Sequence, residues 1–160
     1  MRLLALALAL ICAAAHADDV LNGAVVRVAD GDTLTLAVDG GELVRVRLTE
    51  IDAPERGQPY NQVARRSLVE LCLKQPARVE SASQDKYGRT LGRVFCDGVD
   101  ANAEQVRRGL AWAFTKYLTD ARIAELESQA RGAGVGLWRD PSPWAPWEFR
   151  SDKAKGRGNE

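Results

Sequence analysis

Histidine, cysteine and methionine are nearly missing from this chain: one His, three Cys and one Met in 160 residues. His16 and Cys12 both fall in the first 17 positions, so Cys72 and Cys96 are the cysteines of the remainder. Two thiols and a leader histidine cannot supply the four ligands of a zinc site. Charge of one sign is lacking too. Lys and Arg number 22 against 22 Asp and Glu, which excludes a protein that holds nucleic acid through bulk charge alone. Long apolar runs are also lacking. Leu3 to Ala15 is far below the roughly 20 residues that cross a bilayer. No repeat interrupts an ordinary composition, and one domain with one core is the expectation for this length.

What is present begins with that short run. Arg2 precedes it, and Ala15, His16 and Ala17 have the small-x-small form that signal peptidase cuts after. Residues 1–17 are read as a cleaved signal peptide, and the mature chain as exported, periplasmic or secreted, with no membrane segment. Cys12 follows Ile11, where a lipoprotein needs a small residue. Arg2 leaves with the leader, so 21 basic residues face 22 acidic ones in the mature chain. Affinity for a polyanion then rests on where individual arginines stand. Export exposes Cys72 and Cys96 to an oxidising compartment, where a disulfide is the preferred reading over two buried free thiols.

Val25, Val26 and Val28 make Gly23 to Ala29 a strand by their β-branched character. Asp30, Gly31 and Asp32 form a tight turn into Thr33 to Val38, and Asp39, Gly40 and Gly41 mark a second hairpin. Leu43 to Ile51 continues the meander, with Val44, Val46 and Leu48 on one face and Arg45, Arg47 and Thr49 on the other. A helix is predicted from Asn61 to Lys74, its apolar face Val63, Leu68, Leu71 and Cys72. Ala77 to Ala82 and Thr90 to Cys96 read as two further strands. Helices follow from about Asn102 to Leu110, with Val106 and Leu110 inward, and from an N-cap at Thr119 to Arg131, with Ile123, Leu126 and Ala130 at helical spacing. Five short strands with a helix between the third and fourth match an α+β fold, a five-stranded OB-fold β-barrel with three helices.

Three stretches carry chemistry: Asp30-Gly31-Asp32-Thr33; Arg47 followed by Asp52-Ala53-Pro54-Glu55; and Asp85-Lys86-Tyr87-Gly88-Arg89. Hydrolysis of a phosphodiester puts charge on its non-bridging oxygens, so a site needs a cation and fixed donors aimed at that charge. Asp32 and Asp52 are hard oxygen ligands, and the Ala53 carbonyl with water completes a calcium-like shell. Taken alone, Asp30 and Asp32 are equally well explained as turn formers. Arg47 and Arg89 present planar forks to phosphate oxygens, a geometry lysine cannot reproduce. Glu55, after a strand-breaking proline, is placed to orient or deprotonate water.

In these motifs the sequence resembles the thermonuclease, or staphylococcal nuclease, family, and the resemblance runs from about Val25 to Trp138. The family has the same Asp-Gly-Asp-Thr turn, the same Arg with Asp-small-Pro-Glu, and the same Asp-Lys-Tyr-Gly-Arg, in that order. Arg108 to Ala111 and Tyr117 also resemble the family's segment after its second helix. The resemblance implies a calcium-dependent nuclease on DNA and RNA that cleaves the bond to the 5′ oxygen and leaves 3′-phosphate ends. It implies Asp32, Asp52 and the Ala53 carbonyl as calcium ligands, Arg47 and Arg89 on phosphate, Glu55 on water, and Lys86, Tyr87 and Tyr117 along the nucleotide. A monomer acting on single strands or breathing duplex is expected. The family's type member has threonine where Ala53 stands, a second tyrosine where Thr115 stands, and a lysine-rich insertion that Arg56 to Tyr60 lacks.

Beyond the resemblance, residues 139–150, rich in Pro and Trp, are read as an extended strap on the barrel, with a stacking platform for single strands as the alternative. Residues 151–160 are read as disordered. The rival functions are a non-catalytic OB module that binds single strands or oligosaccharides, and a structural envelope protein. Asp32, Asp52, Glu55, Arg47 and Arg89 together favour the nuclease.

Overall fold

β-branched and leucine-rich segments alternate faces along three hairpin-linked strands, and this alternation curls the first sheet around one apolar interior. A computed structural model describes residues 19–156. The predicted signal peptide, 1–17, and the end of the predicted tail lie outside the described residues. The strands are β1 (Asp19–Val28), β2 (Thr33–Val38), β3 (Leu43–Leu48), β4 (Ile51–Asp52), β5 (Pro76–Gln84), β6 (Thr90–Cys96), β7 (Val99–Asp100) and β8 (Trp112–Ala113). The helices are α1 (Asn61–Cys72), α2 (Ala101–Arg107), α3 (Ala121–Gly132) and α4 (Pro146–Ala154).

Sheet order is β3-β2-β1-β5-β6-β7, and β3 also pairs with β6. That last pairing is parallel, Arg47 opposite Leu91 and Leu48 opposite Gly92, and it closes a five-stranded barrel. The close approach of β5 to β6 requires Gly92, because a Cβ there would lie 2.8 Å from the Glu80 carbonyl oxygen and 2.6 Å from Val79 Cγ1. The expected α+β barrel is therefore the observed one, with its three helices and a fourth beyond them. Val25, Leu34, Leu36, Val46, Leu48, Val79 and Val94 fill it, while Leu68, Val106 and Ile123 bring α1, α2 and α3 against it. Each such side chain contributes on the order of 1.5–3 kcal/mol by burial. A disulfide joins Cys72, at the end of α1, to Cys96, at the end of β6.

Several boundaries differ from expectation for identifiable reasons. The third strand stops at Leu48, because Glu50 takes a left-handed φ of 65°. Its buried carboxylate accepts from Thr119 Oγ1 at 2.6 Å and Asp120 N at 2.7 Å, with Arg93 alongside at 3.7 Å. Thr119, spent on Glu50, does not cap α3. Asp120 does, accepting from Arg122 N at 3.0 Å. In α1 the buried face is Asn61, Ala64, Ser67, Leu68 and Cys72, whereas Val63 is exposed. The helix enters through Tyr60 at φ 66°, which rotates its face from the one hydrophobicity alone selects.

The expected extended strap is corrected at its end. Pro146 sits at the first helical position, Glu148 lies in the first turn and Lys153 in the last, and residues 146–154 are helical. The predicted disorder from Ser151 is corrected with it, since α4 runs through Ala154. Trp138, ahead of α4, and Trp147, in its first turn, pack edge-on against Trp112, with ring centroids 5.1 and 6.4 Å away. This second apolar cluster, with Leu137, Ala130 and Ala145, seats the C-terminal segment against β8 and α3.

Candidate active site

The site stands where three short turns meet at one end of the barrel, and two buried amides fasten them. Asn102 of α2 accepts from Val94 N at 3.0 Å and donates to the Thr49 carbonyl at 2.8 Å. Gln105 donates to the Gly31 carbonyl at 2.7 Å and to the Ala64 carbonyl at 3.0 Å. Both side chains are fully buried, so each bond stands in place of lost water. Gly31 is required by close approach: a Cβ there would lie 2.8 Å from Ala53 Cβ and 2.7 Å from Ala64 Cβ. The Asp30–Asp32 turn therefore lies flat on the Asp52–Ala53 segment. Sequence reading weighed that turn as plain hairpin chemistry; the structure packs it under the site.

Asp32 and Asp52 converge on one arginine. Arg47 Nη2 lies 3.0 Å from Asp52 Oδ1 and 3.3 Å from Asp32 Oδ2. Arg47 Nη1 also donates to the carbonyls of Ile51, at 2.8 Å, and Leu48. The backbone bend after β3 is thus stitched to the guanidinium that it positions. Asp32 Oδ2 accepts from Ala53 N at 2.8 Å. Asp52 is almost wholly buried because β4 is covered by β8, with Asp52 opposite Trp112.

Arg89 reaches the same cleft from the β5–β6 turn. Asp85 shapes that turn, Oδ1 accepting from Tyr87 N at 2.9 Å and Arg89 N at 3.0 Å, while Oδ2 accepts from Arg89 Nε at 2.7 Å. These bonds hold Asp85 below the usual carboxylate range against the upward push of desolvation. The Asp85 side chain is thus the scaffold of the third motif, a role the sequence reading had not assigned.

One further residue was not foreseen. Arg150, on α4, donates from Nη2 to Asp52 Oδ2 at 2.8 Å, and from Nη1 to Asp52 Oδ1 at 3.1 Å and Glu55 Oε1 at 2.6 Å. It clamps the candidate ligand and the candidate base together across a separation of 98 residues. Charge explains why it is there. Burial raises the Asp52 carboxyl, opposed by the Arg150 hydrogen bonds. Burial and neighbouring Asp32 push Asp30 up to about 6.

The cleft so formed has a volume of about 480 Å³ and is lined by Asp32, Arg47, Asp52, Ala53, Glu55, Tyr87, Arg89, Tyr117 and Arg150, among others. Tyr87 and Tyr117 are strongly exposed, at 70% and 57%. Phe114 completes that aromatic wall, 5.0 Å from the Tyr117 ring and stacked at 5.6 Å on Trp147. Lys86 is not part of the lining. Its ammonium lies 5.1 Å over the Tyr87 ring. Among the described residues no three carboxylate, histidine or cysteine side chains converge as a metal cluster. The donor set at Asp32 and Asp52 is instead two carboxylates with Ala53 beside them. The two carboxylates are hard oxygen donors, the chemistry that calcium takes; Ala53 meets Asp32 through its N–H.

A barrel closed by β3 and β6, with acids and arginines gathered in one cleft at its end, defines a phosphodiester-hydrolysing enzyme. Residues 45–140 match the model of the staphylococcal nuclease homologue family. The chain is 41% identical over 140 residues to a micrococcal nuclease of Shigella flexneri, covering 81% of this chain and 80% of that protein. It is 39% identical over 159 residues to Protein ParB of Escherichia coli, covering 92% and 89%. A third relative, an uncharacterized endonuclease of Haemophilus influenzae, is 37% identical over 126 residues, covering 79% and 71%. The chain belongs to the staphylococcal nuclease family.

Proposed function

We propose that this protein is an exported, calcium-dependent endonuclease that cleaves DNA and RNA at the bond to the 5′ oxygen and leaves 3′-phosphate ends. The observation that carries the reading is the meeting of Asp32, Asp52 and Arg47 within 3.3 Å on a cleft that also holds Glu55 and Arg89. Asp32, Asp52 and the Ala53 carbonyl hold calcium. When bound, that ion supplies positive charge against the phosphodiester and its transition state.

The chain's own groups do the rest. Arg47 and Arg89 hold the non-bridging oxygens and stabilise the charge that develops on them; Asp85 fixes Arg89 beforehand, so little reorganisation is needed. Glu55 accepts a proton from the water that attacks phosphorus. As the new P–O bond forms, the P–O5′ bond breaks and the departing oxygen takes a proton from solvent. Arg150 orients Glu55 through its 2.6 Å bond. Tyr87 and Tyr117 stack on bases, with Lys86 beside them. Their open faces suit single strands or breathing duplex, whose bases are free to leave the stack. Action as a monomer belongs to the same proposal. The signal-like leader and the Cys72–Cys96 disulfide support export to the periplasm or medium.

The test is hydrolysis of single-stranded and duplex DNA, and of RNA, by the chain from Asp18 with calcium or excess chelator, followed by end-group analysis. Calcium-dependent cleavage that leaves 3′-phosphates and disappears in Glu55→Gln and Arg47→Ala is expected. Well-folded protein that cleaves nothing in any divalent metal overturns the reading in favour of a binding module.

A further inference from the structure

The C-terminal helix does more than brace the barrel. A second groove of about 380 Å³ runs along it, lined by Glu55, Arg56, Phe149, Arg150, Lys153 and Ala154. It shares Glu55 and Arg150 with the catalytic cleft, so the two adjoin at the Glu55–Arg150 pair. Three of its side chains are cations and one is an acid. That acid, Glu55, is already bonded to Arg150. Among the described residues neither Arg56 nor Lys153 has an ion pair with a carboxylate within 4.0 Å. Arg150 has five N–H donors, and its bonds to Asp52 and Glu55 occupy three of them, leaving Nε–H and one Nη2–H. Phe149 gives the groove an apolar floor, its ring 3.8 Å from the Cβ position of Gly57 and edge-on to Trp144 at 5.0 Å.

We infer that α4 builds a second phosphate-binding subsite, in which Arg56, Lys153 and the free edge of Arg150 hold the phosphodiester that flanks the scissile one along the same strand. The inference deepens the nuclease reading and rests on it. Adjacency to the catalytic cleft points to the occupant. A strand whose scissile phosphate lies between Arg47 and Arg89 and which leaves past Glu55 enters this groove, and its next negative charge meets three cations. The aromatic residues Tyr87, Tyr117 and Phe114 line the catalytic cleft, Phe114 stacking on Trp147 of α4, so one strand meets rings in the cleft and cations in the adjoining groove.

The test is binding of a fluorescent single-stranded 10-mer to the full chain in chelator, by anisotropy over a range of salt, with Arg56→Gln/Lys153→Gln beside wild type. Two lost phosphate contacts make the slope of log affinity against log salt shallower by about 1.4, at about 0.7 for each contact on single strands. The ratio of KM for the 10-mer to KM for a mononucleotide diester rises in the same variant. Both side chains are exposed, and a melt matching wild type checks that the fold is intact. An unchanged slope overturns the subsite. So does a slope change of about 0.7, half that of the double variant, in Lys155→Gln, a cation at the end of the same helix and outside the groove, because bulk charge then accounts for it. Absence of strand binding by wild type also overturns it. Binding is read without turnover, so loss of catalysis in every metal with the slope change intact refutes the nuclease and leaves the subsite standing.

Discussion

Reducing the Cys72–Cys96 bond will lower the melting temperature by about 10 °C or more while leaving the proposed calcium requirement unchanged. The half-cystines are 24 positions apart. Closing a loop of about 25 residues removes denatured-state entropy worth about 3.5 kcal/mol at 25 °C. For a domain of this size each kcal/mol moves the midpoint by about 3–4 °C. Reduction is a better perturbation than Cys→Ala, because both sulfurs are almost fully buried and deleting them would add a cavity cost to the loop effect. The closed loop runs from the end of α1 through β5 and the Asp85–Arg89 turn to the end of β6. That turn is held independently, by β5 pairing with β6 and by Asp85, so Arg89 stays in position below the new midpoint. Circular-dichroism melts of oxidised and reduced protein, with thiol titration confirming each state, give the comparison. A difference below about 3 °C between confirmed states refutes the loop-closure reasoning. Mass spectrometry finding two free thiols in protein purified without reductant refutes the bond itself.

Arg89→Ala will reduce kcat/KM by about 10²–10³ or more, the cost of one transition-state donor, with a melt close to wild type; wild-type rates would remove Arg89 from the mechanism. Arg150→Ala leaves the buried Asp52 carboxylate facing Asp32 with Arg47 as its remaining cation, so the variant will melt lower in chelator and gain more from added calcium than wild type does. An equal calcium-induced shift in both proteins would show that Arg150 does not offset the charge of these carboxylates. Glu104 is drawn down to about 2 by Arg107, and by Arg108 against the opposing effect of burial. Its folded value lies below its unfolded one, so its contribution to stability is present above about 4.5 and is lost as pH falls toward about 2. Glu104→Gln should flatten the stability profile in that window in urea titrations; an unaltered slope there would refute the pairing.

The features legible in the sequence are those whose causes are local. Alternation within Thr33–Val38 and Leu43–Leu48, and the Asp-Gly turns between strands, depend on neighbours a few residues away, and both matched the observed strands. Glu50 shows where local reading ends. Its left-handed backbone and the break after β3 follow from bonds to Thr119 and Asp120, about 70 positions on, which strand propensity does not register. The same holds for Asn102 and Gln105, whose helical positions look unremarkable until their amides are found bonded to carbonyls of three other segments.

Arg150 is the sharper case, because two signals for it were present. Pro146, Glu148 and Lys153 mark the start, first turn and last turn of a helix, yet the density of Pro and Trp before them favoured an extended strap. The second signal is arithmetic of charge. Asp32, Asp52 and Glu55 place three negative charges in one cleft, and Arg89 is already taken by Asp85, which leaves Arg47 alone against them. Burying an acid as deeply as Asp52 with so little compensation costs several kcal/mol. A fold that gathers all three carboxylates in one cleft therefore needs another cation from outside the three motifs, and a helix appended beyond the barrel supplies it without consuming any residue of the barrel wall.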